Sequence, residues 1–171
     1  MHDAVPADRP KQHPATAPEA APPEAPEHAR RHWMSVLARA AADELETCLA
    51  EHGGTPAYQR LRGPESGLVM VRGRAGGGGA PFNLGEMTAT RCTVRTDTGC
   101  VGHAYIAGRN ERLAELAALT DALLQDPTRQ DALMEEVIEP LAAMQQARRD
   151  AVSAKAAATR VQFFAMRNMR S

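Results

Sequence analysis

Arginines, glycines and one histidine crowd the stretch from Ser66 to Arg109, and their chemistry suits a phosphate-like anion. Arg72 and Arg74 end an apolar run, Leu68-Val69-Met70-Val71. Gly76, Gly77, Gly78 and Gly79 follow, and Arg91, His103 and Arg109 come after them. Guanidinium forks match phosphate oxygens in geometry as well as in charge. The glycine run is no Walker loop, since no Gly-Lys-Ser/Thr follows it. It is no dinucleotide fingerprint either, since a strand rather than a helix comes next. A partner protein would suit this surface nearly as well. The plainer reading is a mobile hairpin loop flanked by solvated arginines.

His103 has the side chain for acid–base work near neutral pH. Sequence offers it no adjacent carboxylate, although Glu86 or Asp121 could meet it in space. The plainer reading is a hydrogen-bonded, half-buried strand histidine. Cys100 and His103 stand in a C-x-x-H spacing with Cys92 nearby, but a metal needs three or four ligands. Arg109 follows Gly108 at a strand-to-helix junction, where it could reach an anion or pair with a carboxylate. Glu111, Arg112 and Glu115 read as a solvated helix face. No Ser/His/Asp set can be assembled.

The elements that must position these residues follow from periodicity. Trp33, Val36, Leu37 and Ala40 have helical spacing, and a second helix runs from Asp43, a candidate N-cap, to Gly53-Gly54. Tyr58 to Arg62 reads as a short strand closed by Gly63-Pro64. Gly67 to Arg74 reads as a strand buried on both faces at its apolar start. The turn Asp97-Thr98-Gly99 predicts a hairpin in which Thr96 pairs with Cys100. Arg95 then faces Val101, Thr93 faces His103 and Arg91 faces Tyr105. That register puts Arg91, Thr93, Arg95, His103 and Tyr105 on one face. Thr90, Cys92, Val94, Ala104 and Ile106 fall on the other, the core face, so one metal could not use His103 together with Cys92 and Cys100. A stripe from Leu113 to Leu124 makes a third helix, and Leu133 to Ile138 a shorter one. Pro140 opens a long helix from Leu141 to Met166, whose apolar end is expected to dock on the domain or on another subunit.

Composition bounds the rest. Residues 1–28 are rich in Pro, Ala and Glu, and from Met1 to Glu27 there is no Ile, Leu, Phe, Trp or Tyr. This stretch reads as a disordered tail without the apolar core of a signal peptide. Residues 29–171 read as a single α+β domain: a small antiparallel sheet packed by helices, with a long C-terminal helix. A net charge of −1 and 4% aromatic residues argue against nucleic acid as a partner. No apolar run approaches the ~18 residues of a membrane span. Three irregularly spaced cysteines fit a reducing cytoplasm better than a disulfide framework.

Longer matches run in order along the chain. They include Arg31-His32-Trp33-Met34-Ser35-Val36-Leu37-Ala38, Glu65-Ser66-Gly67-Leu68-Val69, Gly76 through Glu86, Thr90 through Arg95, Gly102-His103-Ala104-Tyr105 and Asp121-Ala122-Leu123-Leu124-Gln125. Over Arg30 to Met166 the sequence resembles PhnG, the G-subunit family of the bacterial carbon–phosphorus lyase core complex. Gly78 stands where that family usually has threonine. Leu113 replaces a histidine, so that histidine's role does not carry over, and Asn110 and Gln162 stand where aspartates are expected. The resemblance implies a cytoplasmic subunit of a transferase. The complex would displace adenine from ribose C1′ of ATP with an alkylphosphonate oxygen, giving α-D-ribose 1-methylphosphonate 5-triphosphate. It implies H, I and J subunits as partners and an L subunit for the synthase step, with ATP as a substrate of the complex and no cofactor held by this chain alone. Displacement at C1′ builds positive charge, which points to Glu86 as the carboxylate, with His103 beside it as a catalytic candidate. Arg72, Arg74, the glycines Gly76 to Gly79, Arg91 and Arg109 become candidates for the triphosphate or phosphonate oxygens. The alternative is a scaffold subunit that stabilises the I-type catalytic chain.

Overall fold

The structure, a computed structural model, describes residues 25–74 and 79–159. The Pro-rich tail up to residue 24, Gly76 to Gly78 and the apolar end Val161 to Met166 lie outside the described residues. Helices α1 (Ala25–Leu37) and α2 (Ala42–Glu51) precede strands β1 (Tyr58–Gly73), β2 (Phe82–Thr96) and β3 (Val101–Ala107). Helices α3 (Glu111–Leu124), α4 (Pro127–Leu133) and α5 (Glu139–Ala158) follow, with a π-helical turn, Met134–Ile138, between the last two. The sheet is antiparallel in the order β1-β2-β3. The architecture is the expected α+β one.

The hairpin register is the one the turn residues dictate. Arg91 pairs with Tyr105, Thr93 with His103 and Arg95 with Val101. Gly99 takes the left-handed conformation, φ 88°, that closes a three-residue loop, and the Thr96 N–H donates to Cys100 O. Alternation then sends Thr90, Cys92, Val94, Ala104 and Ile106 into the core, where all five are buried. Helix α3 covers that face with Leu113, Ala114, Ala117 and Ala118, and α1 adds Trp33, Val36 and Leu37. Among the described residues no helix covers the other face of the sheet. Arg91, Arg95, His103 and Tyr105 are exposed there.

Three expectations are corrected. Tyr58 to Gly73 is one strand, because β1 lies at the sheet edge and absorbs Gly63-Pro64 through two register shifts. The run Leu68 to Val71 is not buried on both faces. Leu68 is 66% exposed, because β1 and β2 run on past the end of β3 and past the helical layer. Helix α2 starts at Ala42, with Ala41 in the cap position and no side-chain cap. Asp43 sits in the first turn, where its charge still opposes the helix dipole. Pro140 lies in the first turn of α5, as expected, and the π turn joins that helix to α4 so that the backbone stays helical from Pro127 to Ala158. Proline has no N–H and its ring clashes with the previous turn. The π turn widens the helix at that point, with the Glu139 N–H bonded to Met134 O.

Candidate functional site

The long hairpin divides the predicted site residues into two sets. Arg91 and His103 stand on the open face over the three-stranded part of the sheet. Arg72 pairs with Asn83 and Glu86 with Met70, out where only β1 and β2 continue. Along β2, Glu86 lies seven residues from Thr93, the partner of His103. At about 3.3 Å per residue that separates Glu86 from His103 by roughly 23 Å. Parity also separates them. Glu86 shares its face with Thr88 and Thr90, the helix side, whereas Arg91 and His103 point to the other side. The expected grouping of Glu86 with His103 is therefore not formed within this chain. Arg74 lies just beyond the end of β1 and is exposed, and Gly79, with φ 91°, precedes β2.

His103 makes two separate contacts. Its ring Nδ1 lies 3.2 Å from Thr93 Oγ1, and its backbone N–H donates to Asp121 Oδ2 at 2.9 Å. Asp121 thus meets the backbone of His103 and not the imidazole. Fully buried on α3, Asp121 gathers the edge of β3 and helix α1 around one carboxylate. Arg30 donates to both of its oxygens, at 3.2 and 2.8 Å, and Trp33 Nε1 donates at 2.9 Å. Gln125 Nε2 reaches Asp121 Oδ2 and also Val101 O. A carboxylate buried with this many donors is charge-assisted on every side.

Arg91 is already engaged. Its Nε and that of Arg62 each donate to Glu65 Oε1 at 2.6 Å. The hydrogen bonds from Arg62 and then Arg91 hold the Glu65 carboxyl below its ordinary 4.5. A depressed carboxyl pKa stabilises the fold above the unfolded value, and that contribution disappears as pH falls through the folded value. In a carbon-13 NMR titration Glu65 is expected to have its midpoint below 4.5, and Arg91→Ala to move it upward. A midpoint unmoved by Arg91→Ala would show that the pair is not formed in solution. Beside Arg91 is a cleft of about 150 Å³ lined by Glu65, Gly67, Val69, Ala89 and Tyr105. Small-molecule sites usually occupy ~300 Å³ or more, so this cleft is too small to enclose a nucleoside triphosphate.

Arg109 is exposed at the turn between β3 and α3. Thr90, buried under the sheet, holds that turn: its Oγ1 donates to Gly108 O and accepts from the Asn110 N–H. Asn110 caps α3 through its side chain, which accepts from the Leu113 N–H. Glu115 is not the solvated residue expected. It pairs with Arg60 at 3.0 Å and accepts from Tyr58 Oη at 2.7 Å. Burial and that hydrogen bond push the Tyr58 hydroxyl up to about 12. Arg112 pairs with Asp43 and Glu46 of α2. Burial also raises the Cys92 thiol, so Cys92 is held as a core thiol and not as a thiolate nucleophile.

Sequence reasoning missed Asp121 as an organising group, the pairing of Glu65 with Arg62 and Arg91, and the hold of Thr90 on the turn before α3. The signal for Asp121 was present: a carboxylate set inside the run Leu119-Thr120-Asp121-Ala122-Leu123-Leu124, at a core-facing position. Glu65 and Thr90 carry no local signal, because their partners come from distant strands.

Comparison with known proteins adds what geometry does not. The family model described as phosphonate metabolism protein PhnG matches residues 28–168. A curated relative from Rhizobium meliloti (strain 1021) is 47% identical over 137 residues, covering 80% of this chain and 87% of the relative. That relative is named alpha-D-ribose 1-methylphosphonate 5-triphosphate synthase subunit PhnG.

Proposed function

This chain belongs to the PhnG family, and from that premise we propose that it is a subunit of alpha-D-ribose 1-methylphosphonate 5-triphosphate synthase. In this reading an oxygen of the alkylphosphonate attacks C1′ of the ATP ribose. The C1′–N9 bond breaks, adenine leaves with the bonding electrons and takes up a proton, and the 5′-triphosphate stays on the sugar. ATP is a substrate of the complex, and this chain alone holds no cofactor. The H, I and J subunits are the proposed partners, with the L subunit joining for the synthase step, in the cytoplasm.

Within that complex we assign the chain an accessory role, completing or bracing a site whose enclosure another subunit supplies. The carrying observation is the separation of its polar groups. Glu86 and His103 lie roughly 23 Å apart on opposite faces, too far for one reacting centre within this chain. Arg91 and Arg109 are the groups proposed to face substrate oxygens. Arg72 and Arg74 stand at the hairpin end, away from Arg91, and are not assigned to those oxygens in this reading.

The test is adenine release from ATP and methylphosphonate by the reconstituted partner subunits. Adding this chain is expected to raise turnover by at least about tenfold, and the chain alone is expected to release none. Full turnover without the chain, or turnover by the chain alone, overturns the reading. If Arg91→Ala and Arg109→Ala both leave turnover intact, the anion assignment fails while the subunit assignment stands.

A further inference from the structure

Among the described residues nothing covers the outer part of the long hairpin. From Leu68 to Gly73 and from Phe82 to Met87, β1 and β2 pair only with each other, because β3 pairs back only as far as Ala89, with a last bond from the Gly108 N–H to Thr88 O. Leu68, Met70, Phe82 and Leu84 are between 47% and 66% exposed there. An isolated two-stranded hairpin is marginal in water and gains nothing from exposed leucines. Leu84 folds over Gly73, where its side-chain carbons are the first atoms a Cβ would meet.

The two halves of β1 are treated differently. The half beside the core carries Arg60, Arg62, Pro64 and two register shifts, the usual devices that keep another strand from adding to an edge. The outer half has one register shift, between Val71 and Arg72 at its far end, and neither proline nor charge from Gly67 to Val71. At its far end Arg72 and Arg74 have no carboxylate partner among the described residues. An edge guarded in one half and bare in the other, with a basic tip, is built to be received.

We propose that this arm inserts into an apolar groove of a partner protein whose far end carries carboxylates for Arg72 and Arg74. This rests on the reading of the chain as a synthase subunit. Area selects this occupant over a second copy. Six residues per strand make an arm about 20 Å long and roughly 10 Å wide. Edge-to-edge pairing with a second arm covers one edge and leaves both apolar faces in water. That falls well short of the ~800 Å² per partner of a stable association, whereas a groove covers both faces and both edges.

The test is co-purification of the full chain with the co-expressed H, I and J subunits, with affinity measured on the purified components. Leu68→Ser/Met70→Ser and, separately, Arg72→Glu/Arg74→Glu are each expected to weaken association by at least about tenfold. Their thermal midpoints should stay at the wild-type value, since the arm lies outside the core. The charge-reversal effect should shrink between ~0.1 and ~1 M salt. If both variants associate as wild type does, the arm inference falls and the subunit reading stands. If the wild-type chain self-associates at micromolar concentration and Leu68→Ser/Met70→Ser disperses it, the arm belongs to a second copy and the inference also falls. Failure of the wild-type chain to join the other subunits at all would instead remove the reading on which the inference rests.

Discussion

Asp121→Ala is expected to cost the domain about 3–5 kcal/mol, a large part of the ~5–15 kcal/mol by which such domains are stable. The carboxylate is fully buried and is the acceptor for Arg30, the Trp33 indole, the His103 backbone N–H and Gln125. Its loss leaves the indole and the His103 N–H without partners, each at a cost of about 1–3 kcal/mol. Arg30 is partly exposed and recovers some hydration, which keeps the total from climbing higher. Asp121→Asn keeps an acceptor oxygen and should cost less than alanine. The melting midpoint should fall by roughly 10 °C or more in the alanine variant. Trp33 is the only tryptophan in the chain, so its emission reports the same event and should shift to the red. A midpoint within about 2 °C of wild type would mean that the cluster contributes nothing net, as some buried ion networks do.

Gly102→Ala should be at least as damaging as ordinary overpacking, about 1–3 kcal/mol or more. Gly102 lies on the core face of β3, against α3. A Cβ placed there falls within 3.0 Å of Ala118 O, Ala122 N and Ala122 Cβ. Two of these are backbone atoms of α3 and the third is a methyl stub, so no rotamer change can relieve the clash and the helix must move off the sheet. Gly85→Ala is the matched control. It also adds one methyl group to a strand glycine, but into open space, and should change stability by less than about 0.5 kcal/mol. The denaturant midpoints of the two variants check this. Equal midpoints would show that α3 does not pack on β3 as closely as described.

These two sites illustrate what the chain discloses in one dimension. The register of β2 and β3 was readable because Asp97-Thr98-Gly99 sets the loop length, and loop length sets which residues share a face. The helix stripes were readable because α3 buries almost every residue after its first turn. Two features were not readable, each for a physical reason. Gly63-Pro64 looks like a strand terminator, but an edge strand needs hydrogen bonds on one side only and can bulge around a proline. An apolar run such as Leu68 to Val71 looks buried, but burial depends on whether another layer reaches that far, and here none does. The candidate site misled for a related reason. Residues close in sequence on a hairpin move apart at about 3.3 Å per position, so Arg72, Glu86 and Arg91 form a line and not a cluster. Asp121, eighteen residues from His103 in sequence, is the one that touches it.

The central claim is that this chain serves the synthase without housing its reacting centre. Paired substitution in the reconstituted complex tests it most directly: Glu86→Gln with His103→Gln, both exposed, in a chain shown by its melting midpoint to be folded. The observable is adenine release from ATP and methylphosphonate. The account predicts turnover within about threefold of wild type in the doubly substituted complex, against a loss of at least about tenfold when the chain is left out. A loss of about 10³-fold or more from the two substitutions, with the complex still assembled, would place acid–base catalysis on this subunit and contradict the account.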